Sequence, residues 1–119
     1  MRRVALSTTT AAEVAALKPD FGKLKATPKG ACMVTAPGAD CDFVSRYFAP
    51  MAGVDEDPVT GSSHSTLIPF WSAKLGKKQL LARQLSARGG TLHCEDRGDR
   101  VSFAGTAKLY LSGTIRVPV

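Results

Sequence analysis

The chain has 119 residues, 44% hydrophobic and 22% charged, the length and balance of one soluble globular domain with its own core. That composition excludes a disordered or collagen-like chain, and the longest apolar runs, a few residues, fall far short of the ~20 that a spanning helix needs, which excludes a membrane span; no membrane partner is expected. The net charge of +6 points toward a polyanionic partner, but residues 1–60 balance seven basic against seven acidic side chains, and the surplus (nine against three) is scattered through residues 61–119 with no run of five; with no helix-turn-helix, zinc-finger or RNA-recognition motif, nucleic acid is not expected as a partner.

In chain order, Val4–Ser7 reads as the tail of a strand. Thr10-Ala11-Ala12-Glu13 has the spacing of a capping box, which starts a helix that stops near Leu17, ahead of Pro19. Asp20–Lys25 reads as a short turn, and Ala31–Ala36 as a buried strand broken by Pro37-Gly38. In the strand Asp42–Phe48, Phe43, Ser45 and Tyr47 share one face, and Val44, Arg46 and Phe48 the other. Ala49–Thr60 reads as loop, with its prolines, glycine and consecutive acids. Gly61–Leu75 reads as a helix capped by Gly76, apolar on most sides and therefore buried. Leu80–Ser86, Thr91–Glu95, Arg100–Ala104 and Lys108–Val117 read as strands. Beyond the strand tail at Val4–Ser7, six strands about one buried helix make an α+β domain with a sheet curled over that helix.

Cys32, Cys41 and Cys94 are odd in number and lack CxxC spacing, and His64 and His93 lie far apart. No metal site or disulfide framework is expected, and a reducing, cytoplasmic setting is. No signal peptide is read at Met1–Ser7, where two arginines precede no long apolar stretch.

Chemistry concentrates between Ala49 and His64. This acidic segment feeds the start of the buried helix, where the first-turn amides of Gly61, Ser62 and Ser63 and the helix dipole suit a carboxylate or phosphate. Asp57 stands just before it, placed to accept a hydrogen bond or take part in proton transfer. The same residues also read as an Asp57-Pro58 turn with Thr60 or Ser62 as N-cap, and His64 as a hydrogen-bonded core histidine.

The run Asp42-Phe43-Val44-Ser45-Arg46-Tyr47-Phe48-Ala49-Pro50, then Gly53, then Glu56-Asp57-Pro58-Val59-Thr60-Gly61-Ser62 with His64, resembles the phenazine-biosynthesis (PhzF-like) isomerase/epimerase family. So do Leu75-Gly76-Lys77, Ala82-Arg83-Gln84-Leu85-Ser86-Ala87-Arg88-Gly89-Gly90 and Gly98-Asp99-Arg100-Val101 through to Gly113. The likeness covers about residues 12 to 115 and is to the second domain of the family only. It implies one half of a diaminopimelate-epimerase-like fold: a mostly antiparallel sheet wrapped around a central helix, the active site lying in the cleft between two such domains. It further implies a cofactor-independent proton shift on a small carboxylate-bearing substrate, carried mainly by a glutamate of the first domain with a histidine nearby.

Carried over, the catalytic residue is Asp57, and Gly61, Ser62, Ser63 and His64 are substrate-binding; Arg83, Gln84 and Gly90 are further candidates that could equally fix the sheet. Glu13, Glu56 and Glu95 are the only glutamates, and none sits in a context resembling the catalytic one. Ser63 and Ser65 stand where small or apolar residues are common in the family. Related racemases on this fold use a cysteine near this helix start, and the three cysteines here are remote from it, which disfavours thiol chemistry. Residues 1–119 are therefore expected to form a single domain equivalent to the family's C-terminal half, a fragment, split gene product or truncated paralogue that needs its N-terminal domain to turn over substrate. The alternative is a non-catalytic domain that self-associates, two copies pairing as a homodimer to imitate the two-domain arrangement.

Overall fold

The structure, a computed structural model, describes residues 4–118; Met1, Arg2, Arg3 and Val119 lie outside the described residues. The elements are β1 (Val4–Ser7), α1 (Ala11–Ala16), α2 (Phe21–Lys25), β2 (Cys32–Pro37), β3 (Phe43–Ala49), a 3₁₀ turn (Pro50–Ala52), β4 (Val54–Glu56), α3 (Gly61–Leu75), β5 (Gln79–Gln84), β6 (Gly90–Asp96) and β7 (Val101–Ala104). One mixed sheet runs β1-β2-β3-β5-β6-β7, with β4 also on β3. It is mostly antiparallel: only β1–β2 and β3–β5 run parallel. Parallel neighbours need a long crossover, and α3 supplies it between β3 and β5.

Local signals in the sequence set the small helices. Thr10 and Glu13 form the capping box: the Thr10 hydroxyl accepts from the Glu13 amide at 3.2 Å, and the Glu13 carboxylate accepts from the Thr10 amide at 3.1 Å. The other end of α1 is closed from outside. Arg46 of β3 donates from Nη1 to the carbonyls of Val14, Ala15 and Leu17 (2.9–3.2 Å) and forms a two-point pair with Glu56 at 2.7 and 2.9 Å. That pairing raises the pKa of Arg46 further, so Glu56 is committed to holding β3, β4 and α1 together. The stretch beginning at Asp20 is a short helix, capped by the Asp20 side chain on the Lys23 amide.

Alternation along β2 and β3 builds a core on each face of the sheet. Met33, Phe43, Tyr47, Leu80, Ala82, Leu92 and Cys94 pack under Leu67, Ile68 and Trp71 of α3. Cys32, Val34, Ala36, Val44 and Phe48 pack on the opposite face against Val14 of α1 and Phe21 and Leu24 of α2. Trp71 anchors the larger core: it is fully buried, stacks on Phe43 at 5.7 Å, and gives its indole hydrogen to Thr35 Oγ1 at 2.9 Å.

Three expectations are corrected. Lys108–Val117 is not a strand: after β7 the chain has no regular structure, and Leu109, Tyr110, Leu111, Ile115 and Val117 are 73–99% exposed. Its alternating apolar pattern is that of a strand, but no neighbouring edge accepts it among the described residues. The radius of gyration of 16.2 Å exceeds the ~13.5 Å of a compact chain of this length because this arm stands off the body. Second, Ala49–Thr60 is not all loop, since Val54–Glu56 pairs with the end of β3 past a register shift. Third, α3 is buried on one side only. The sheet covers Ser63, His64, Leu67, Ile68, Trp71 and Ser72, whereas Phe70 and Leu75 remain 44% and 42% exposed.

Candidate active site

The site arises from a fork in the sheet. From Phe43 to Phe48 β3 pairs with β2, and its other edge is shared: β5 takes Phe43–Ser45 and β4 takes Phe48–Ala49. Between them, the Ser45 carbonyl accepts from the Leu85 amide (2.8 Å) and the Tyr47 carbonyl from the Asp57 amide (3.0 Å). The loop 57–60 and the first turn of α3 fill this opening.

Residues of β5 and of the turn after it fasten that loop. The buried Gln84 amide group accepts from the Thr60 backbone amide at 2.8 Å and donates to the Asp57 carbonyl (2.8 Å) and Thr60 Oγ1 (3.1 Å). Ser86 Oγ donates to the Pro58 carbonyl at 2.8 Å. At Gly90 a Cβ would collide with the Val59 side chain, so only glycine lets β6 approach the loop this closely. Two of the stretches that carry the family resemblance, 56–62 and 82–90, thus fold against one another.

Thr60 occupies the N-cap position of α3 but makes no side-chain cap bond. Its hydroxyl instead donates to Asp57 Oδ2 at 2.5 Å. The Thr60 carbonyl accepts from Ser63 Oγ at 2.9 Å and from His64 Nδ1 at 2.7 Å, which fixes the Nδ1-protonated tautomer. Burial lowers the His64 pKa more than that bond raises it, so the imidazole stays neutral. Its Nε2, like Ser45 Oγ, has no hydrogen-bond partner among the described residues.

Asp57, Thr60 and Ser62 line a cavity of about 350 Å³ together with Tyr47, Ala31, Ala49 and the half-buried Lys29. A carboxylate at a helix N-terminus with a small apolar cleft beside it can orient a small molecule, accept a hydrogen bond and exchange a proton. Of the expected site residues, Asp57 and Ser62 stand together at this cavity. Gly61 lies beside them against Phe103 of β7, where a Cβ would be 2.8 Å from the ring. Ser63 and His64 turn their side chains into the core and are 1% and 0% exposed. Arg83 pairs with Asp40 away from the site, and Gln84 and Gly90 support the loop from behind. Sequence reasoning missed Lys29 and Ser86; neither stands in a local pattern that signals its place.

The remaining acids and thiols have other positions. Glu13 caps α1, Glu56 pairs with Arg46, and Glu95 pairs with Arg97 at 2.7 Å. The thiols are free, and burial raises all three pKa values, that of Cys94 to about 11. Among the described residues no three His, Cys, Asp or Glu side chains converge as a metal site would require, and no helix is long and apolar enough to cross a membrane. A second cavity, about 360 Å³, lies between α2 with the segment before it and the sheet, where Leu17, Leu24, Val34 and Phe48 make it largely apolar.

Comparison with known proteins agrees with this fold. Two uncharacterized isomerases of Pseudomonas aeruginosa are 56% and 52% identical over 104 residues, which is 87% of this chain and 40% of each of those proteins. A crystal structure of a phenazine biosynthesis protein of the PhzF family from Enterococcus faecalis superposes with a TM-score of 0.85 at 45% identity, covering 90% of this chain and 42% of that one. The chain therefore spans about two-fifths of the length of these relatives. The family model for phenazine biosynthesis-like proteins matches residues 1–113, and the chain belongs to that family.

Proposed function

We propose that this domain is the C-terminal half of a PhzF-like, cofactor-independent isomerase/epimerase site that moves a proton on a small carboxylate-bearing substrate. The observation that carries the reading is the cavity at the start of α3, with the Asp57 carboxylate fixed at its edge. Substrate carboxylate docks at the first turn of α3, by the backbone of Gly61, Ser62 and Ser63, where the helix dipole favours negative charge. Asp57 hydrogen-bonds the substrate near the reacting carbon and assists the proton's movement. The principal acid/base comes from an N-terminal partner domain, because each of the three glutamates here has a structural partner. His64 supports the helix start from within the core.

Titration of the 119-residue chain with benzoate tests the binding half of this reading by backbone amide NMR. Saturating shifts centred on Gly61, Ser62 and Ser63, weakened at high salt and smaller elsewhere, are the expected result. Saturating shifts confined to another surface would remove the assignment.

A second reading, a non-catalytic domain that self-associates, draws on the arm 105–118. Its exposed Leu109, Leu111, Ile115 and Val117 alternate as a strand does and offer backbone to a partner edge. Sedimentation over a concentration series separates the readings: dimers that vanish when the arm is removed favour the second.

A further inference from the structure

We propose that Thr60 and Gln84 are positioning residues that aim the Asp57 carboxylate, an inference that rests on the role given to Asp57 above. The proton directions follow from the geometry without choice. A backbone amide only donates and a backbone carbonyl only accepts, so Gln84 must turn Oε1 to the Thr60 amide and Nε2 to the Asp57 carbonyl, both at 2.8 Å. The second hydrogen on Nε2 then points to Thr60 Oγ1, 3.1 Å away. With its oxygen receiving that bond, the hydroxyl sends its own hydrogen to Asp57 Oδ2 at 2.5 Å.

This relay has two consequences. Asp57 Oδ2 is held as an acceptor, which leaves Oδ1 as the oxygen that meets substrate. The Thr60 hydroxyl is also withdrawn from its ordinary task of capping α3, so the first turn of the helix is left for a ligand's negative group. One buried amide therefore sets both the aim of the acid and the openness of the anion site. Gln84, 1% exposed, touches no substrate itself.

The test uses the full 119-residue chain and needs no turnover. Thr60→Val keeps the shape and removes the hydroxyl, Thr60→Ser keeps the hydroxyl, and Gln84→Glu keeps the acceptor for the Thr60 amide while removing the donor at neutral pH. The wild type is expected to show a slowly exchanging Thr60 hydroxyl proton and one sharp Asp57 Cγ resonance. Thr60→Ser should keep both signatures. Thr60→Val should lose the hydroxyl signal and move the Cγ resonance, with benzoate binding weakened about tenfold; Gln84→Glu should lose the hydroxyl–Asp57 signature too. If burying that new charge unfolds the chain, the Thr60 pair decides alone. An Asp57 Cγ resonance and benzoate affinity unchanged in Thr60→Val overturn the positioning role. Should the wild type bind no benzoate, the carboxylate-site reading fails, while the Cγ and hydroxyl signals still decide the relay.

Discussion

Two irregular segments of the chain, residues 57–60 and residues 105–118, have opposite surroundings. The first is held through Gln84, Ser86 and the close approach of Gly90, and its carboxylate is bonded before any ligand arrives. The second carries alternating large apolar side chains, yet leaves them 73–99% exposed. Both lack regular structure, so the contrast is one of partners rather than of local conformation. The cradle for Asp57 is complete within this domain. The arm, and the outer face of α3 with Phe70 and Leu75, hold apolar surface that the domain does not cover.

The largest effect is expected where the finished segment is broken. Gln84→Leu removes three hydrogen bonds and strands the buried Thr60 amide, so urea unfolding should show a loss of about 2–4 kcal/mol. A loss below about 0.5 kcal/mol would show that the loop holds itself.

A smaller effect is expected from pH. His64 has a folded pKa below its unfolded one because burial disfavours the imidazolium. The folded state thus binds fewer protons, and its full stability is present above the unfolded value of about 6.5. Stability should fall as pH drops below that value, by up to about 1.4 kcal/mol per unit, until the folded pKa is reached. Thermal unfolding at pH 7, 6 and 5 checks this, and His64→Gln should flatten that part of the profile. The same slope in the variant would place the titrating group elsewhere.

The smallest effect is expected at the unfinished end. Ending the chain after Ala104 should change unfolding free energy by less than about 0.5 kcal/mol, since the exposed arm contributes little to the folded body. A loss of several kcal/mol would mean that the arm packs on its own domain and that the contrast between the two segments is false.

Legibility in the sequence followed the range of the interaction. The Thr10–Glu13 capping box, the Gly76 cap and the two faces of β3 rest on neighbours a few residues apart, and they stand where periodicity and turn chemistry put them. Asp57 beside the α3 start was legible for the same reason. The link from Gln84 to Asp57 and Thr60 spans 24–27 residues, so no local pattern could separate a sheet-fixing glutamine from one that holds the acid. The arm shows the reverse failure: Lys108–Val117 has a strand's alternation, but a strand also needs an edge to pair with. Similarly, the apolar ring of α3 implied burial on most sides, and the sheet supplies cover for only one.

The most direct test of the central claim, that Asp57 belongs to a proton-transfer site shared between two domains, is solvent deuterium wash-in. A panel of small unsaturated and α-amino carboxylic acids would be followed by proton NMR, with this chain alone and with it grafted in place of the matching segment of the Enterococcus faecalis relative. The account predicts no exchange above background for the chain alone, exchange for the graft, and its loss on Asp57→Asn within a folded graft. Robust exchange by the 119-residue chain alone, or an undiminished rate in the Asp57→Asn graft, would contradict it.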